Sequence, residues 1–138
     1  MNIKYFSQNG KILPINQATI PFSNIEYSYG FGVYENVRIS NGIIYFLKDH
    51  TERLLESAKT IGLDHPFNEE FIKNSILELV KDYKSETFNL KILLIGGAIK
   101  EKATLNILCL NPLFTDRKFY KEGAEFITCN YERAFPHA

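Results

Sequence analysis

Two Asn-Gly pairs, Asn9-Gly10 and Asn41-Gly42, sit between apolar runs and constrain the fold more than any other feature of the chain. Both residue types tolerate the positive φ needed at the central positions of a type I′ turn, whose twist matches that of the strands it joins. The first pair predicts a hairpin from residues 3–6 and 12–15, and the second predicts one from 31–39 and 43–47. Two hairpins with the same turn chemistry imply an antiparallel sheet. Two further strand-like runs, 90–95 and 104–110, enclose a loop containing Gly96, Gly97, Lys100, Glu101 and Lys102.

Two helical patterns lie between these strands. Asp49 followed by Glu52 has the spacing of a capping box, Leu54, Leu55, Ala58 and Ile61 form an apolar stripe, and Gly62 is a stop. A second helix begins near Asn68, carries Glu69 and Glu70 in its positive first turn, and repeats Phe71, Ile72, Ile76, Leu79, Val80 and Tyr83 on one face. Residues 16–24 read as loop. Strands, two helices and strands again predict an α+β fold, a mixed or antiparallel sheet with two helices covering one side.

That domain is expected over residues 1–111. Residues 112–123 have a proline, several charges and no clean period, and read as a linker. Residues 124–138 then begin a truncated second domain, with its first strand at 125–130.

Composition removes several function classes. Sixteen basic and sixteen acidic residues cancel, so no global field favours nucleic acid or an anionic membrane surface. No apolar run reaches the roughly 18–20 residues of a membrane helix, and the amino terminus lacks a signal-peptide core. Cys109 and Cys129 lie in strand-like runs and read as buried thiols, with a disulfide as the alternative. A cytoplasmic protein fits these features. The three histidines have no metal-ligand spacing with the cysteines, and no metal site is expected.

Chemistry enters through the strand at 31–39. With a period of two, Phe31, Val33, Val37 and Ile39 share a face with Glu35, while Tyr34, Asn36 and Arg38 occupy the other. An acid in an apolar row is costly unless it is paired, bonded or able to reach water. A half-exposed row, a structural ion pair and a site-lining role are all open for Glu35. Tyr34 and Arg38 are either ordinary cross-strand partners or, beside Gly30 and Gly32, part of a ligand wall.

Arg53 is the sharper case. It falls on neither the apolar stripe nor the solvated face marked by Glu52, Glu56 and Lys59, but on a flank with Ser57 and Thr60. In a first helical turn its charge is mismatched to the dipole, which a nearby anion relieves, and a guanidinium fork suits phosphate. The plain alternative is a surface arginine in contact with Glu56.

Three segments carry a resemblance: Tyr29-Gly30-Phe31-Gly32-Val33-Tyr34-Glu35, the run from Phe46 to Lys59 with its His50-Thr51-Glu52-Arg53-Leu54, and the closing Arg133-Ala134-Phe135-Pro136-His137-Ala138. They resemble the pyridoxal-phosphate enzymes of fold type IV, which include the branched-chain aminotransferases, the D-amino acid aminotransferases and the aminodeoxychorismate lyases. The resemblance implies that Arg53 contacts the cofactor phosphate. It implies that Tyr29 and Tyr34 line the substrate side, with Arg38 and Lys91 counted among the substrate-binding residues. It further implies a homodimer acting on a small amino acid or keto acid.

In this family the closing segment runs directly into the lysine that holds the cofactor, and here the sequence stops one residue short of it. The expectation is therefore an amino-terminal piece that contains no catalytic residue and is inactive alone. Lys91 is the strand-embedded candidate for the catalytic amine and is not taken as such. It stands where branched-chain enzymes have the arginine of a Tyr-x-Arg pattern, and Lys100-Glu101-Lys102 offers no Arg-x-His pair of the D-amino acid type. A branched-chain-type parent is slightly favoured, beside an aminodeoxychorismate lyase and a non-catalytic binding or assembly module of the same fold.

Overall fold

The structure is a computed structural model that describes residues 3–83 and 87–132. Both Asn-Gly pairs turn as their chemistry requires. Asn9 and Gly10 have φ of 50° and 78°, and Asn41 and Gly42 have 51° and 77°. The first turn joins β1 (Tyr5–Gln8) to β2 (Lys11–Pro14), with Gln8 opposite Lys11. Asn9 also ties this turn to a distant strand: its backbone N–H donates to the Leu105 carbonyl, and its side-chain oxygen accepts from the Leu105 N–H, both at 2.8 Å.

A short helix, α1 (Ile25–Ser28), follows the loop and is capped by the Asn24 side chain, which accepts from the Tyr27 N–H. Helix α1 has no counterpart in the sequence reading, because a single turn is too short to display a period. The second hairpin then joins β3 (Gly32–Ser40) to β4 (Ile43–Ile44), and α2 (Leu47–Thr60) and α3 (Glu69–Val80) follow. Strands β5 (Phe88–Ile95) and β6 (Thr104–Leu110) complete a six-stranded sheet in the order β2-β1-β6-β5-β3-β4. Among the described residues every strand pair is antiparallel. The α+β expectation stands in its antiparallel form.

One face of the sheet is the core. Val37 and Ile39 of β3, Leu90 and Ile92 of β5, and Leu105 and Ile107 of β6 are all buried there against Leu54 and Ala58 of α2 and Ile72 and Ile76 of α3. Each fully buried large aliphatic side chain contributes on the order of 1.5–3 kcal/mol relative to exposure. The period-two and period-3.6 stripes of the sequence meet at this interface, except that Ile61, beyond the end of α2, and Phe71, in the first turn of α3, are exposed.

The hairpin after Asn41-Gly42 is shorter than its apolar run. Strand β4 ends at Ile44, one further bond runs from the Tyr45 N–H to the Arg38 carbonyl at 3.0 Å, and Phe46 swings to a φ of 52°. That left-handed residue turns the chain off the sheet edge and starts α2 two residues before Asp49. Asp49 is therefore an acid inside the first turn rather than a cap, and the expected capping box is not formed. Asn68 does cap α3, with Oδ1 accepting from the Phe71 N–H at 2.8 Å.

Beyond β6 the residues expected to be pure linker contain a short helix, α4 (Arg117–Glu122), begun by Asp116 and ended by Gly123. The strand expected at 125–130 is not formed: residues 124–132 have no strand pairing and are exposed. A strand exists only where an edge offers hydrogen-bond partners, and none reaches this segment within the described chain. No disulfide joins Cys109 to Cys129; Cys109 is buried as expected, whereas Cys129 is exposed because its run forms no strand. Among the described residues no helix is long and apolar enough to cross a membrane.

Candidate functional site

The acid in the apolar row decides how the site is built. Glu35 lies on the core face of β3 opposite Ile92 and is only 6% exposed. It escapes the cost of burial by accepting three contacts from α2, which packs across β3. Arg53 donates through Nε to Oε1 at 2.6 Å and through Nη2 to Oε2 at 2.5 Å, and His50 Nδ1 lies 2.7 Å from Oε2. An ionised carboxylate only accepts, so His50 carries a proton on Nδ1 and donates it. Of the three readings open for Glu35, the structure chooses the ion pair.

The electrostatics follow from this geometry. Burial works to raise the Glu35 pKa, but the hydrogen bonds and charges of Arg53 and His50 outweigh it and leave the carboxyl below its ordinary range. Arg53 is shifted upward, first by its hydrogen bond to Glu35 and then by that carboxylate's charge. The anion that stabilises Arg53 within the chain is thus Glu35, eighteen residues away, and not Glu56 one turn along the helix. Because α2 starts at Leu47, Arg53 also lies beyond the first turn, and the expected dipole mismatch disappears.

Glu35 occupies only one edge of the guanidinium. Among the described residues no partner contacts Nη1, and the Arg53 side chain remains 63% exposed. A planar fork with one edge fixed and the other turned outward is the donor set that an oxyanion such as a phosphate monoester needs. The residues present therefore fit a phosphate-bearing cofactor.

Tyr34, Arg38 and Lys91 lie on the opposite face, away from α2 and α3. Lys91 of β5 pairs with Asn36 of β3, so Tyr34 and Arg38 are its diagonal neighbours on either side. The Lys91 ammonium lies 5.1 Å from the centre of the Tyr34 ring, a cation–π contact. Beside it a cavity of about 200 Å³ is lined by Phe6, Ile20, Tyr27, Lys91, Asn106 and Leu108. Its polar part is a connected chain in which Gln8 Nε2 donates to Asn106 Oδ1 at 3.0 Å and Asn106 Nδ2 donates to the Tyr27 hydroxyl at 2.8 Å. Tyr29 stands at the end of α1, 85% exposed.

The structure thus brings Tyr34, Arg38 and Lys91 to one face and Arg53 to the other, with β3 between them. Sequence reasoning gives His50 no metal-binding role and misses its bond to Glu35. The one available signal is the unexplained acid in β3 facing a helix that carries a cation and an imidazole three residues apart.

Comparison with known proteins turns these observations into an assignment. The family model described as amino-transferase class IV matches residues 32–135. The chain belongs to the class IV aminotransferases. A probable branched-chain-amino-acid aminotransferase of Rickettsia bellii is 33% identical over 99% of this chain and 48% of its own length. A D-alanine aminotransferase of Bacillus licheniformis is 39% identical over 52% of this chain and 25% of its own. The branched-chain aminotransferase of Thermoproteus uzoniensis, solved with norvaline, superposes at a TM-score of 0.68 with 26% identity over 80% of this chain and 41% of that one. The branched-chain amino acid aminotransferase of Escherichia coli shares the fold at a TM-score of 0.71, with 15% identity over 80% of this chain and 41% of that one. This class IV chain spans less than half the length of the relatives it matches.

The closing segment 133–138, on which the sequence resemblance partly stood, lies outside the described residues.

Proposed function

We propose that this chain is the amino-terminal portion of a pyridoxal 5′-phosphate-dependent aminotransferase and supplies the phosphate anchor and part of the substrate wall. The observation that carries the reading is the Arg53 guanidinium, fixed along one edge by Glu35 and open along the other. When bound, the cofactor supplies the electron sink for amino-group transfer, and the protein supplies anchoring and orientation. Arg53 binds the phosphate through its outward edge. Tyr34, Arg38 and Lys91 present an aromatic ring and two cations to a substrate carboxylate from the face away from α2 and α3, and Tyr29 extends that wall.

A branched-chain-type specificity is slightly favoured, supported by the Rickettsia bellii relative, whose match runs nearly the whole length of this chain. The same reading carries the expectation of a homodimeric, cytoplasmic enzyme.

Two experiments test the proposal. Titrating pyridoxal 5′-phosphate into the chain and into Arg53→Met should give binding only to the former, and equal affinity for both would refute the anchor. In the full-length protein, keto-acid amination against pyruvate release separates an aminotransferase from an aminodeoxychorismate lyase.

A further inference from the structure

The proposed function uses Arg53 but leaves Glu35 unexplained. A buried carboxylate on a strand whose other inward residues are apolar is an expensive way to hold a helix, since α2 already docks through Leu54 and Ala58. We infer that Glu35 is a positioning residue for anion capture: it takes the Nε–Nη2 edge of Arg53 and so presents the Nη1 edge outward as the phosphate-binding surface. This rests on the reading of Arg53 as a phosphate anchor.

Three features support it. First, the contact is the side-on fork, with Nε to Oε1 at 2.6 Å and Nη2 to Oε2 at 2.5 Å, which fixes the guanidinium plane as well as its position. Second, Glu35 is itself held from outside the pair. His50 donates to Oε2 at 2.7 Å, and β3 is paired on both sides, to β4 near its end and to β5 along its length. Third, the exposure is asymmetric: the carboxylate side chain is 8% exposed and the Arg53 side chain 63%. The pair therefore has a buried, rigid acceptor and an outward-facing donor, the polarity of a mount rather than of a sealed internal bridge.

Electrostatics alone makes the opposite prediction, which is what makes the inference testable. Glu35 carries a negative charge close to the phosphate, so a merely charge-balancing glutamate would weaken anion binding, and neutralising it would tighten binding. If Glu35 acts by orientation, losing its geometry costs more than losing its charge gains. Shortening it without changing charge, in Glu35→Asp, separates the two. Lysine cannot replace Arg53 in this role, because one ammonium cannot offer a fixed edge to Glu35 and a second edge to phosphate.

The test is nitrogen–proton NMR of the arginine side chains, with inorganic phosphate as the titrant. In the wild-type chain without phosphate, Arg53 should show a slowly exchanging Nε–H and restricted rotation of its Nη groups. Added phosphate should move the Nη1 signals while leaving Nε–H protected. Glu35→Asp and Glu35→Gln should each weaken phosphate binding by about tenfold, within the range known for partners that orient a ligating group. Equal or tighter binding in both variants overturns the positioning role and leaves the anchor intact. Phosphate that fails to move any Arg53 signal in the wild type overturns the anchor, and the inference with it. The wild-type arm needs no variant to fold: an Arg53 that rotates freely, or an Nε–H that loses protection as phosphate binds, overturns the inference alone.

Discussion

Tyr34 and Glu35 are neighbours in β3, yet the tyrosine is 60% exposed on the face away from α2 while the glutamate is 6% exposed beneath it. One strand therefore serves both sides of the proposed site. Its even positions carry Tyr34 and Arg38, proposed to line the substrate side, and its odd position Glu35 grips the arginine proposed to hold phosphate. Strand alternation converts one step along the chain into a change of chemical role.

Replacing Glu35 by leucine tests what the pair contributes to folding as opposed to binding. Arg53 is largely exposed and can rehydrate, so no buried charge is stranded and the apolar row of β3 becomes continuous. Urea unfolding should change by less than about 1 kcal/mol in either direction. A loss above about 3 kcal/mol would mean that the pair is primarily structural.

Acid should act on the same pair. The folded carboxyl of Glu35 lies below its ordinary value of 4.5, so on acidification the unfolded chain takes up this proton first. The stability it provides is complete above pH 4.5 and is lost as pH falls through the lower folded value. A urea midpoint measured from pH 6 downward should show this acid loss in the wild type and a shallower one in Glu35→Leu.

His65 gives a second, separable slope. Burial lowers its pKa from 6.5, with Lys100 acting in the same direction, and its Nδ1 accepts the Phe67 N–H at 3.2 Å. The unfolded chain again binds the proton first, so this contribution is present above pH 6.5 and lost as pH falls through the folded value. His65→Asn should flatten the stability profile just below neutrality without altering the acid limb. An unchanged profile near neutrality would contradict the assignment.

Ser7 offers a stabilising substitution. It is fully buried on β1, and its hydroxyl has no hydrogen-bond partner among the described residues. Ser7→Ala removes an unsatisfied polar group and should raise stability by up to about 1 kcal/mol, read as an increase in Tm. A fall of similar size would reveal a partner for the hydroxyl.

Turn glycines should separate by surroundings. Gly10 and Gly62 both have positive φ, 78° and 70°, so alanine at either is strained by roughly 1–2 kcal/mol. At Gly62 an added Cβ meets nothing within 4 Å, whereas at Gly10 it meets the Phe71 ring at 3.0 Å. Gly10→Ala should therefore be the more damaging by thermal unfolding, and equal losses would show that Phe71 gives way.

Legibility in the sequence followed how local each cause was. The type I′ turns were readable because Asn-Gly encodes a positive φ within two residues. The α2 stripe was readable from its period, but the start of α2 was not, since a phenylalanine in the left-handed region has no sequence signature. Arg53 could be singled out because it fitted neither face of its helix. Its partner could not, because Glu35 and Arg53 meet only when α2 folds back over β3.

By itself, the sequence determined an α+β architecture with a mixed or antiparallel sheet and most of the faces its main elements bury, because periodicity and turn dihedrals are properties of short stretches of chain. Tertiary structure alone decided that Glu35 receives both Arg53 and His50, and that Tyr34 and Lys91 meet on the other side of the sheet. Those contacts depend on the angle at which a helix leaves a sheet edge and on the register between two strands. Both are fixed by the packing of the whole core.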